Sequence, residues 1–165
     1  MKCITYHWTA STYKPNSIDL EHYHYLIGKD GEIYNGKFSP KDNENCSDGH
    51  YAAHCGGGNT GNIGIAYCGM LGFASQYDVG DYPLTKKQVE AGFKLGAELV
   101  RKYELDINYK HTIQTHYGFG QRNSKTSSWG KIDITYLPPY PDVPEKLIED
   151  FIANKVHWYL INVVK

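Results

Sequence analysis

The chain has 165 residues, with 17 Lys+Arg against 18 Asp+Glu and a formal net charge of −1, a length that suits one ordinary domain able to bury its own core. That balance excludes a protein that works by blanketing phosphate backbones, which needs a basic excess or stripe. The 14% aromatic and 21% charged content excludes disorder and coiled coil.

Taken in chain order, the N-terminus meets His7 before an apolar stretch long enough for a secretory signal can form, so synthesis in the cytoplasm is expected. Residues 2–8 (KCITYHW) alternate with β-rich composition and predict a strand. Tyr23 to Gly28, the Lys29-Asp30-Gly31 turn and Glu32 to Tyr34 predict strand, turn and strand, since Asp-Gly supplies the positive φ of a tight hairpin. A polar, Gly-rich loop then runs to about Asn62. The near-continuous apolar run Ile63 to Cys68 predicts a central strand covered on both faces.

Thr85 and Gln88 form a capping-box pattern ahead of Val89, Phe93, Gly96, Ala97, Val100 and Tyr103, which recur at helical spacing. Two glycines weaken that helix slightly. His111 to His116 predicts a further strand, and Tyr117 to Gly130 a loop bearing Gly and Ser. Pro144 in a first-turn position and the apolar positions from Leu147 to Val163 predict a C-terminal helix. Its expected role is packing on the sheet, with a membrane-active surface as the alternative. Strands interleaved with two long helices predict an α/β fold, one domain over residues 1–165 with a central sheet flanked by helices. The apolar runs are too short or too interrupted to span a bilayer, so no stable membrane insertion is expected. The four cysteines show no CxxC pair, and free thiols are expected, with a Cys46–Cys55 bridge across a short loop as the alternative.

Eight histidines invite a site, because His is the commonest metal ligand. His7 lies at the end of the first strand, His116 closes a later one, and Asp133 follows a loop. Two histidines and a carboxylate from separated strand ends suit a catalytic zinc site, which uses three protein ligands and keeps a fourth position open. Such distant residues have no diagnostic spacing, so ordinary structural roles for these histidines stay open on the residues alone.

Five pieces in fixed order do carry a family signal: Ile4-Thr5-Tyr6-His7-Trp8-Thr9-Ala10; Tyr23-His24-Tyr25-Leu26-Ile27 with Lys29-Asp30-Gly31; Ala53-His54 through Asn59 to Ile63-Gly64-Ile65; Thr115-His116; and Lys131-Ile132-Asp133. Their order resembles the zinc-dependent N-acetylmuramoyl-L-alanine amidases, the family of phage lysozyme-type amidases and peptidoglycan recognition proteins. The resemblance implies a mixed sheet flanked by helices, Zn2+ as cofactor, and peptidoglycan or a muropeptide as substrate, with no nucleic acid partner. It implies His7, His116 and Asp133 as metal ligands, Tyr23 and Lys131 as catalytic groups, and His54 and Asn59 as substrate-groove residues. His22, His24, His50, His111 and His157 are left outside the metal site. The short interval from His7 to Tyr23 implies that a helix many relatives carry there is reduced to a turn around Ser17 to Glu21.

The activity so implied is hydrolysis of the amide between N-acetylmuramic acid and L-alanine, in an endolysin-like enzyme acting on the cell wall after release by a holin or a secretion system. Two alternatives stand beside it: a non-catalytic peptidoglycan-binding module, and another metal-dependent hydrolase using the same histidines. The oligomeric state is not legible in the sequence.

Overall fold

In a computed structural model describing residues 1–165, the chain folds around one five-stranded mixed sheet. The strands are β1 (Cys3–Trp8), β2 (Tyr25–Ile27), β3 (Ile33–Asn35), β4 (Asn62–Tyr67) and β5 (Ile113–Thr115), in the spatial order β3-β2-β4-β1-β5. β2 and β3 pair antiparallel across the expected turn, with Gly31 at φ +87°. The other three pairings are parallel, with His7 opposite Ala66 and Tyr6 opposite Thr115.

Because side chains alternate along a strand, the central strands divide their residues between two unlike faces. Ile4, Tyr6 and Trp8 of β1, Ile63, Ile65 and Tyr67 of β4 and Ile113 of β5 join one buried apolar cluster. Two helices, α2 (Lys86–Lys102) and α4 (Ile148–Asn162), close that cluster through Val89, Phe93, Ala97, Ile148, Ile152 and Val156. The packing role expected of the C-terminal helix therefore holds, although a 3-10 turn at Glu145–Leu147 follows Pro144 before α4 starts. Glu90 of α2 ties the two helices together, accepting from the Tyr140 and Tyr159 hydroxyls and from Lys155.

The expected capping box of α2 is present: the Thr85 hydroxyl accepts from Gln88 N at 3.2 Å, and Gln88 Oε1 accepts from Thr85 N at 3.2 Å. Its two glycines admit tyrosines from the sheet. A Cβ on Gly96 would lie 2.0 Å from the Tyr6 hydroxyl oxygen, and one on Gly92 2.4 Å from that of Tyr67. Tyr6 donates to Gly92 O at 2.8 Å instead.

The opposite face is polar around β1 and β5, with a small apolar cluster of Leu26, Ala66 and Cys68 beside β2. Thr5 Oγ1 donates to Asn62 Oδ1 at 3.0 Å and accepts from Gln114 Nε2 at 3.0 Å. The loop from 36 to 61 covers this face, anchored by buried Asn43, whose side chain bonds both Ala52 N and Ala52 O at 2.9 Å. His24 joins the same loop as a structural residue: its Nδ1 accepts from Gly64 N and its Nε2 donates to Asn43 Oδ1, both at 2.9 Å.

Two segments differ from expectation. Residues 17–21 are not a turn but part of α1 (Ser17–His22), started by a capping box between Asn16 and Asp19. Part of the expected 117–130 loop is α3 (His116–Arg122), capped by Thr115 Oγ1 accepting from Gly118 N at 3.0 Å. All four cysteines are free thiols. No helix is long and apolar enough to cross a membrane.

Candidate metal centre

The parallel pairing brings the C-terminal ends of β1 and β5 side by side, where open α/β sheets place their ligands. His7 projects from β1 onto the polar face, His116 is the first residue of α3 just past β5, and Asp133 comes from the following loop. A backbone bond from Tyr117 N to Asp133 O at 2.6 Å fastens that loop beside His116. The three side chains converge: His7 Nδ1 is 2.9 Å and His116 Nδ1 3.2 Å from Asp133 Oδ2, and all three ligand atoms lie within 4.8 Å of one another. Ligands about 2.0–2.2 Å from a tetrahedral zinc ion are ~3.3 Å apart, so the donors already stand at nearly ligand spacing.

Hydrogen bonding fixes which ring nitrogens can bind. His54 Nε2 faces the carbonyl of Asn62 at 3.2 Å, which only accepts, so Nε2 carries the hydrogen and His54 Nδ1 is an acceptor. His7 Nε2, 3.0 Å from that Nδ1, therefore donates, and His7 Nδ1 presents a lone pair to Asp133. On the other ligand, Ser128 Oγ donates to Gly56 O at 2.8 Å and accepts from His116 Nε2 at 3.0 Å. That leaves His116 Nδ1 with a lone pair as well. Two imidazole lone pairs and a carboxylate thus point at one another with no hydrogen among them, which is the arrangement a cation satisfies. Each histidine donates its other N–H to a fixed partner, as metal-ligating histidines do.

Electrostatics agree. Burial lowers the His7 pKa to about 4, against the opposing pull of the neighbouring Asp133 carboxylate, and burial also holds His54 well below the ordinary value. Burial alone would raise Asp133, but the adjacent His116 and His7 imidazoles outweigh it and hold the carboxyl below its ordinary value. His7 is uncharged and Asp133 ionised at neutral pH, the states in which they ligate.

Around the donors is a cleft of about 430 Å³ lined by Trp8, Tyr23, Met70, Phe73, His116 and Lys131 among others. The Tyr23 ring centroid lies 5.0 Å from that of His7. Burial and the Asp133 charge raise the Tyr23 pKa, so its hydroxyl stays protonated. The cleft thus brings together four of the residues singled out from sequence, His116, Asp133, Tyr23 and Lys131, with fully buried His7 in contact with Asp133 behind its wall.

His54 and Asn59 are placed otherwise. His54 is 5% exposed and lies behind His7, its ring against Gly64, where an added Cβ would come within 2.7 Å of it. Asn59 Oδ1 accepts from His54 N and Cys55 N at 3.1 and 2.8 Å, bracing the loop that holds His54. Neither lines the cleft. Ser128 and Asn62, which complete the hydrogen bonds, carried no sequence signal.

Fold and site together define an α/β protein with a buried His-His-Asp cluster able to hold a metal ion at the C-terminal edge of a mixed sheet. The sequence profile of the N-acetylmuramoyl-L-alanine amidases matches residues 1–131, and the chain belongs to that family. No curated protein matches the chain.

Among solved structures, the amidase AmiD from E. coli, in complex with the substrate anhydro-N-acetylmuramic acid-L-Ala-D-gamma-Glu-L-Lys, has 18% identity and TM-score 0.56 over 94% of this chain and 57% of its own. The ectodomain complex of peptidoglycan recognition proteins LCa and LCx bound to tracheal cytotoxin has 20% identity and TM-score 0.54 over 92% of this chain and 82% of its own. The amidase LysC from Clostridium intestinale URNW has 23% identity and TM-score 0.44 over 63% of this chain. The chain spans 65% of that protein's length. The likenesses to AmiD and to the recognition-protein ectodomains show the fold.

Proposed function

We propose that this chain is a zinc-dependent N-acetylmuramoyl-L-alanine amidase, hydrolysing the amide between the lactyl group of N-acetylmuramic acid and L-alanine in peptidoglycan. The observation that carries the reading is the hydrogen-free convergence of His7 Nδ1, His116 Nδ1 and Asp133 in a member of an amidase family. His7, His116 and Asp133 would hold the ion. Bound zinc supplies a Lewis acid that polarises the scissile carbonyl and brings the pKa of water toward ~7.

The chain's own groups do the rest. The Lys131 ammonium at the cleft wall faces the negative charge that develops on the carbonyl oxygen, a contribution worth about a hundredfold or more in rate. The protonated Tyr23 hydroxyl donates a hydrogen bond to a reacting oxygen and orients it over His7. Trp8, Met70 and Phe73 exclude bulk water, which strengthens both interactions. His54 and Ser128 keep the ligand lone pairs aimed inward.

Release of new amino termini from purified cell walls tests the reading. Wild-type protein with one zinc per chain should release them, and His116→Ala should not; equal release by the two proteins would sink the assignment. The likeness to peptidoglycan recognition proteins favours one second reading, a binding module without catalysis, and wall binding with no amine release would establish it. The proposal extends to an endolysin-like role, with passage to the wall through a holin or secretion system. Co-expression with a membrane-permeabilising partner should then lyse a susceptible host.

A further inference from the structure

The cleft does not end at the metal donors. Phe73 and Ile132 also line a second, larger hollow of about 690 Å³, together with Tyr77, Tyr117, Tyr136 and residues 141–145. Tyr117 directly follows His116 and Ile132 directly precedes Asp133, so this hollow begins where the reacting bond would sit.

We propose that it is the glycan-side subsite, taking uncharged N-acetylhexosamine rings of the strand and not the stem peptide; this rests on the amidase reading above. Three observations point there. Its surface is aromatic: Phe73 and Tyr136 are near-parallel, at 19° with centroids 6.4 Å apart, and aromatic faces suit the apolar C–H face of a pyranose. Tyr77 is 90% and Ile132 50% exposed, large apolar groups left in water at one edge of the cleft. Its only charged lining residues are Asp142 and Glu145, with no Lys, Arg or His. Carboxylates accept from sugar hydroxyls but repel a stem peptide that carries carboxylates of its own. The volume lies within the ~300–1,000 Å³ usual for small-molecule sites.

Binding to metal-free protein, which cannot turn over, separates this proposal from the amidase reading. An N-acetylglucosamine tetramer, which carries no peptide, should shift the ring NMR signals of Tyr77 and Tyr136 and saturate. Tyr77→Ala and Tyr136→Ala should each weaken the tetramer roughly tenfold and leave affinity for a free stem peptide unchanged. Tyr77 is exposed enough that its replacement leaves the fold intact, so that variant decides the matter if Tyr136→Ala is unstable. No saturable tetramer binding, or variants that weaken the stem peptide and spare the tetramer, would overturn the subsite even if the wild type cleaves walls. Tetramer binding in a protein that never cleaves walls would instead overturn the amidase reading.

Discussion

His54 touches no solvent cleft, yet the lone pair of His7 is aimed by it. With His54→Ala, His7 Nε2 loses its acceptor and the inward lone pair is no longer enforced. Zinc affinity should fall about 10- to 100-fold, measured by competition with a chromophoric chelator, while His54→Gln, which restores a carbonyl acceptor, should recover part of it. Lys131→Ala should behave in the opposite way, with zinc affinity unchanged and kcat reduced about a hundredfold or more; an unchanged kcat would remove Lys131 from the reaction. The convergence of His7, His116 and Asp133 and the nearness of Tyr23 and Lys131 to them were legible in the sequence because each sits in a short motif of fixed order. The support for them was not. The bonds from His54 to Asn62 and from His116 to Ser128 to Gly56 depend on loop placement, and sequence spacing carries no record of that.

At the scale of elements, α2 shows why helical glycines are not simply defects. In an exposed helix Gly→Ala gains about 1 kcal/mol, but at Gly96 the new methyl would collide with buried Tyr6, and overpacking costs about 1–3 kcal/mol. Gly96→Ala should therefore lower the midpoint of urea unfolding. Combined with Tyr6→Phe, which removes the colliding oxygen, it should cost less than the sum of the two single changes.

The long elements β1, β4, α2 and α4 were readable because their apolar periodicity is strong. The two short helices were not. α3 has Gly118 and Gly120 in its seven residues, which reads as loop by propensity. Yet a Cβ at Gly120 would lie 2.1 Å from Ser128 O, so packing demands the glycine there. α1 is six residues long and exposed over most of its surface, and its Asn16/Asp19 capping box emerges only in the structure.

For the whole molecule, buried neutral histidines set the response to acid. Burial lowers the His24 pKa from an ordinary 6.5 to about 4, against the weaker opposing effect of its bond to Asn43. Between those values the unfolded chain binds a proton that the folded chain refuses. This stability is complete above about pH 6.5 and is lost as pH falls toward 4, by about 3 kcal/mol for one such group. Urea titrations of metal-free protein at pH 7 and pH 4 should show that loss, and equal unfolding free energies would contradict it. The α/β architecture itself was legible from the alternation of strands and long helices. The strand order was not, because β1 pairs with two strands far from it in sequence.

The two-faced sheet bears on how this protein can be changed. In β1 Ile4 and Tyr6 serve the apolar cluster while Thr5 and His7 serve the other face, and only Trp8 at the strand end serves both core and cleft; in β4 the parity is reversed. Durability and chemistry are thus encoded in interleaved but mostly separate codons. A laboratory selection for heat resistance and another for altered substrate should enrich largely separate sets of positions, overlapping at Trp8 and Met70, so winners from the two could be merged into one gene with little interference.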